Sequence, residues 1–203
     1  MKKLCFSVIA ALLLMANSAM ADSIAGKFGV SLRGGFTVPT DSELVGGPKI
    51  EPDTGWNVGG GFIYGITDTL AADLDVIYNQ SDAKITGIDV GTGKTADISL
   101  GLQYRFMPRN ILVPYVGAGV DVLVNNFTGN SNLGAPSTLD VDTTFGGHLS
   151  AGLDYFITRN FALNAEFRGV LSTEGDVKDN TGFVGAKYDP SNFSGLFGVR
   201  FFF

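Results

Sequence analysis

The sequence predicts an all-β fold, an eight-stranded antiparallel transmembrane β-barrel with up-and-down meander topology. Three observations lead there. Apolar and polar residues alternate with period two in eight stretches, each reaching the roughly 9–11 residues that a tilted strand needs to cross a bilayer. The links between the stretches are alternately short and long, as short periplasmic turns and long outer loops would be. Beyond the first 21 residues no segment has the roughly 20 apolar residues of a spanning helix, while 28 glycines and 11% aromatic residues suit strands and turns.

The chain opens with Met1-Lys2-Lys3, an apolar run over 4–15 and small residues ending in Ala19-Met20-Ala21. A charged start, a short apolar core and an A-x-A site make residues 1–21 a predicted secretory signal peptide and leave 22–203 as the barrel domain. Cys5 lies upstream of the apolar run, so the mature chain contains no cysteine, which suits passage through an oxidising compartment. Removing two lysines with the signal leaves 12 basic against 20 acidic residues and a formal charge of −8. Such a surface is not expected to bind nucleic acid, which needs a basic face.

The alternating stretches run over 27–36, 56–66, 70–79, 96–106, 115–124, 145–157, 161–171 and 193–203. Alternation alone also describes a soluble sandwich. Strand length argues against that, and so does the gathering of Trp56, Tyr64, Tyr78, Tyr104, Phe106 and Tyr155 toward stretch ends, where a membrane barrel carries its aromatic girdles. The short links are 67–69, 107–112 and 158–160; the long ones, 38–55, 81–94, 125–142 and 172–190, are rich in Gly, Asn, Asp, Ser and Thr. The last stretch turns Phe193, Phe197, Val199, Phe201 and Phe203 to lipid and Arg200 inward. The terminal Phe203 resembles the signal read by outer-membrane assembly machinery, so the expected partners are that machinery, outer-membrane lipid and lipopolysaccharide.

The phase turns Arg33, Asp73, Asp75, Asp97, Arg105, Asp121, His148, Asp154, Glu166, Arg168 and Arg200 into the lumen. Ile63, Ile77, Leu123, Phe156, Val170 and Leu196 are the candidate apolar lining. Two readings follow. The charges form a salt-bridged plug, or they wall a path interrupted by an apolar pocket for small hydrophobic solutes. The inward glycines Gly59, Gly61, Gly117, Gly119 and Gly152 leave room for such a pocket or mark strand curvature. The long links carry the acids Asp41, Glu43, Glu51 and Asp53 and no binding signature, so a surface-display role stands beside transport.

The stretch Pro114-Tyr115-Val116-Gly117-Ala118-Gly119 resembles a signature of the OmpW family of small outer-membrane barrels. Residues 151–164 are similar to that family's sixth-to-seventh-strand hairpin, 30–39 to its first strand, and Gly175-Asp176-Val177-Lys178 to a short motif there. The ending Val199-Arg200-Phe201-Phe202-Phe203 departs from the family's more usual GxGYRF. Barrels of the OmpX and opacity type share this architecture. OmpW-like membership implies an interior that passes or holds small, often hydrophobic, compounds. His148, Ser150 and Glu166 superficially echo a lipid A deacylase pattern, but Ala151 stands where that family has Asn, and His148 and Ser150 face the lumen rather than lipid. No metal-ligand spacing and no phosphate loop is present, and the expectation is a barrel with neither cofactor nor metal and without enzymatic activity.

Overall fold

The computed structural model describes residues 23–44, 49–85, 88–130, 139–178 and 184–203; the predicted signal peptide lies outside them. Among the described residues there are thirteen strands and no helix: β1 (Phe28–Pro39), β2 (Ser42–Leu44), β3 (Lys49–Pro52), β4 (Gly55–Gly65), β5 (Leu70–Ile85), β6 (Ile88–Arg105), β7 (Leu112–Gly129), β8 (Leu139–Val141), β9 (Thr144–Phe156), β10 (Phe161–Ser172), β11 (Gly175–Lys178), β12 (Val184–Tyr188) and β13 (Asn192–Phe202). The eight long strands close as β1-β4-β5-β6-β7-β9-β10-β13, each pair antiparallel and β13 back on β1. Closure pairs every edge, which a sheet in lipid requires.

The register fixes the shape of the wall. From Gly29 the ladder passes through Ile63, Asp73, Gly101, Gly119, His148, Val170 and Asn192, and returns to β1 at Pro39, ten residues further along. A stagger of ten over eight strands tilts the staves by roughly 40° to the barrel axis. The expected phase holds on every long strand: Leu32, Phe62, Val76, Leu100, Val120, Phe167 and Phe197 are exposed outward, and their neighbours in sequence are covered within. Aromatic pairs mark the two rims of this apolar band. Phe28 meets Tyr64 at 4.8 Å and Tyr104 meets Phe106 at 5.1 Å at the short-turn end, and Trp56 meets Tyr78 at 5.7 Å at the other.

The long links are less loop-like than their composition suggests. β5, β6 and β7 run on as uninterrupted strands of 16, 18 and 18 residues, and β8, β11, β12, β2 and β3 pair beside them to close a second ring above the first. Above the lipid, the outward face of a strand no longer has to be apolar. Thr92, Lys94 and Asn126 stand on it, so the alternation that reveals a strand in sequence fades while the backbone pairing continues. Five staves break between the rings, at 40–41, 53–54, 142–143, 173–174 and 189–191. Pro39, Pro52 and Pro190 adjoin or occupy three of these breaks, and each lacks a ladder donor. At the last break the Ser191 N–H donates to Asp189 Oδ1 at 2.9 Å, an Asx turn that takes the backbone out of the sheet.

Candidate functional site

At the short-turn end the lumen is closed by hydrocarbon. Ile63, Ala71, Val113, Phe156, Ala162 and Phe202 pack with Ile24, which comes from the segment ahead of β1 and is 2% exposed. Phe156 and Phe202 stack at 5.9 Å. A turn at Gly26, with φ of 75°, folds this segment beneath the barrel, and the Gly26 N–H donates to the Gly65 carbonyl at 2.7 Å. Outside the seal, the Ser23 hydroxyl and Arg109, at 2.9 Å, both bind Asp68 and hold its carboxyl below the ordinary carboxylate range, the hydroxyl most strongly.

Above the seal lie the charges. All eleven predicted lumen groups are covered, none more than 6% exposed. Asp154 accepts from Arg105 Nη2, Arg200 Nη1 and Asn164 Nδ2, each at 2.7 Å. Glu166 accepts from Tyr115 at 2.6 Å and Arg33 Nη1 at 3.1 Å, while Arg33 also pairs with Asp75. Arg168 Nη2 joins Asp97, at 3.1 Å, to Asp121, and the tautomer of His148 protonated on Nδ1 donates to Asp121 at 2.9 Å. Tyr115 links the lower groups: Asn164 Nδ2 donates to its hydroxyl at 2.9 Å and the Arg200 guanidinium lies 5.2 Å from its ring centre. Its inward place on the strand was legible; its role as the hub was not, because that depends on which strands its hydroxyl reaches. Glu166 is held by Arg33 and Tyr115 rather than by His148, so the deacylase-like trio of His148, Ser150 and Glu166 is not joined through Glu166.

The apolar candidates are all covered but do not form one pocket. Ile63 and Phe156 belong to the seal, whereas the other four are interleaved with the charges: Leu196 pairs in register with Glu166, Ile77 and Leu123 with Asp97, and Val170 with His148. The inward glycines are not vacant. A Cβ on Gly119 would lie 2.5 Å from His148 Cε1, one on Gly117 2.6 Å from Ser150 Oγ, and one on Gly152 2.3 Å from Tyr115. Neighbouring side chains lie flat over them, and the glycines make room for the network rather than for a ligand. Higher still is a polar throat that the charge pattern did not reveal. Thr95 donates to Asn125 at 2.9 Å, Asn125 donates to Thr144 at 3.1 Å, and Thr95 meets Tyr188 at 3.2 Å. A cavity of about 10 Å³ lined by Thr37, Asn79, Thr95, Tyr188 and Asn192 remains there, room for about one water.

A further concavity lies in the wall. A trough of about 820 Å³ crosses β7, β9, β10, β13 and β1 just below the breaks. Ala118, Gly147 and Gly169 form its shallow outer floor, and Val38, Leu149, Leu171 and Phe193 its apolar sides. Pro39, Gly119, His148, Val170 and Asn192, from the ladder row that faces the lumen, also line it. Above it the ladder gives way to irregular bonds: Thr40 N–H to the Ser191 carbonyl at 2.9 Å, Ser172 N–H to Ser191 Oγ at 3.0 Å, and Thr173 N–H to the Phe145 carbonyl at 3.0 Å.

Comparison with known proteins places this geometry. The chain is 29% identical over 177 residues to outer membrane protein W of Salmonella typhimurium, covering 81% of this chain and 82% of that one. It is 30% identical over 115 residues to an uncharacterised outer-membrane protein, y4mB, of Sinorhizobium fredii, spanning 55% of this chain and about half, 49%, of that relative. Among solved structures it is similar in fold to OprG of Pseudomonas aeruginosa, with a TM-score of 0.71 at 20% identity over 92% of this chain and 99% of that one. AlkL, solved in lipid bilayers by solid-state NMR, gives a TM-score of 0.58 at 19% identity over 92% and 94%. The family model described as "Outer membrane protein beta-barrel domain" matches residues 7–201. The chain therefore belongs to the outer membrane protein β-barrel domain family and is an outer-membrane barrel of the OmpW type.

Proposed function

We propose that the barrel takes up a small apolar molecule from outside the cell and releases it sideways into the membrane through the wall trough. One observation carries the reading: a concavity of about 820 Å³ with apolar sides opens in the outer wall, just below the point where the strand ladder gives way to irregular bonds. The lumen supports the same direction of travel. A solute entering from the upper ring would meet Leu123 and Val170 already level with Asp97 and His148, then the rest of the buried charge network and a hydrocarbon seal, and an apolar molecule has no favourable way past the charges. The network itself favours a second reading, a closed barrel serving membrane structure or surface display.

The test is uptake of a small fluorescent hydrophobic solute by liposomes containing the barrel, with planar-bilayer conductance in parallel. Leu123→Trp narrows the mouth and Gly169→Trp fills the trough without adding charge. Several-fold slower uptake in both, with conductance negligible throughout, is the expected result. No uptake by the unmodified protein selects the closed barrel, and uptake unchanged by Gly169→Trp removes the sideways route.

A further inference from the structure

One row of the outer wall turns polar where lipid ends. Trp56, Gln80, Lys94 and Asn126 pair in register across β4, β5, β6 and β7, all on the outward face, with each neighbouring pair roughly 5 Å apart at Cβ. Lys94 lies six residues from Leu100, which is midway along β6 between Tyr104 and Ala96, the partner of Tyr78. At about 3.3 Å per residue and a tilt near 40°, that is roughly 15 Å toward the upper ring, the half-thickness of a hydrocarbon core. The Lys94 ammonium group thus stands where acyl chains give way to the headgroups of the outer leaflet.

The surroundings of Lys94 suit an anion. Lys84 and Lys187 on the upper ring are paired with Asp53, at 2.6 Å, and Glu174, at 3.2 Å, whereas Lys94 has neither ion pair nor hydrogen bond among the described residues. The Tyr78 hydroxyl donates to Gln80 Oε1 at 3.4 Å, which leaves the Gln80 amide nitrogen as a donor beside Lys94. Exposed Asn126 supplies a second amide on the other flank. Asp82, one row higher, accepts from the Thr92 hydroxyl at 2.9 Å. A cation flanked by two amides matches a phosphate group, which accepts several hydrogen bonds at once. Next to this row a hollow of about 290 Å³ is lined by Thr54, Trp56, Gln80 and Asp82, an aromatic face with polar groups around it. That combination suits a sugar, apolar on its ring faces and hydroxylated at its edges. We infer that Lys94, Gln80 and Asn126 hold a phosphate of an outer-leaflet glycolipid, with its phosphorylated sugar against Trp56, so that lipopolysaccharide docks on this side of the barrel. A phospholipid would satisfy the phosphate seat but leave the hollow's hydroxyl and carboxylate groups without sugar hydroxyls to meet. Docking there does not require any solute to use the wall trough.

The experiment titrates diphosphorylated lipid A into the detergent-solubilised mature barrel and counts bound lipid by native mass spectrometry, with Trp56 fluorescence as a second readout. A chelator is present throughout, so that no divalent cation bridges protein acids to phosphate. The unmodified protein should bind the lipid saturably. Losing one charge-assisted hydrogen bond in Lys94→Gln should weaken binding about tenfold, while Lys94→Arg keeps it and Lys187→Gln, on the upper ring, leaves it unchanged. Lipid A stripped of its phosphates should bind at least as weakly to the unmodified protein as intact lipid A does to Lys94→Gln. Absence of saturable binding, or binding undiminished by Lys94→Gln or by loss of the phosphates, would overturn the inference. Displacement of lipid A by an equimolar amount of phosphatidylglycerol would overturn it as well, by assigning the seat to any phosphate-bearing lipid.

Discussion

Leu100 offers a direct reading of where the membrane lies. It is 58% exposed on the outer face of β6 and pairs with Leu74 and Val120, both exposed. Four residues toward one end lies Tyr104, which packs on Phe106, and four toward the other Ala96, which pairs with Tyr78. At about 3.3 Å per residue and a tilt near 40°, each aromatic row is roughly 10 Å away along the membrane normal, so Leu100 sits close to the bilayer midplane. Leu100→Arg should cost roughly 2–4 kcal/mol, whereas Ala96→Arg, already at the interface, should cost roughly 0–1 kcal/mol. The lower figure for Leu100 is about a thirtyfold change in the folded-to-unfolded ratio. Urea titration of the barrel in liposomes resolves such a change, and Trp56, the one tryptophan in the sequence, stands in the upper aromatic row as its reporter. Equal costs at both positions would mean that this span of β6 is misplaced in the bilayer or that its outer face does not meet lipid.

Asp154→Asn preserves shape but leaves Arg105 and Arg200 without their shared counter-charge; a loss of roughly 3–5 kcal/mol is expected in the same titration, and a neutral result would mean the lumen is wet enough to screen them. Deleting Phe203, whose side chain is 62% exposed, should barely change the stability of the folded barrel but lower its amount in the outer membrane, and undiminished amounts would remove its reading as an assembly signal. Because Asp68 is held below its ordinary value, its hold on Ser23 and Arg109 is complete above about pH 4 and is lost as pH falls below that. Amide exchange at Gly26, measured relative to unstructured peptide, should speed up over that fall in the unmodified protein and be already fast at neutral pH in Asp68→Asn; exchange that ignores both changes would detach the segment's anchoring from Asp68.

The barrel was legible in the sequence because lipid imposes a rule on every second residue. Val116, Ala118, Val120, Val122 and Val124 announce the outer face of β7 as clearly as Asp121 announces the inner one. Where lipid ends the rule ends, and the upper ring, with Thr92, Lys94 and Asn126 outward, passed for loop. The trough was hidden for another reason. Ala118, Gly147 and Gly169 come from three strands, and only the ten-residue stagger brings them side by side.

The two rings are joined unevenly. β5, β6 and β7 pass through both without interruption, while the other five staves are jointed at the same height. Bending the continuous side breaks ladder hydrogen bonds, whereas on the jointed side it strains only turns and a few irregular bonds. The upper ring is therefore held stiffly along three staves and, along the rest, by turns and a few irregular bonds. Outer-surface partners such as an antibody or a phage that grip the jointed side will meet a compliant target, and those that grip the hairpin of β5 and β6 a stiff one.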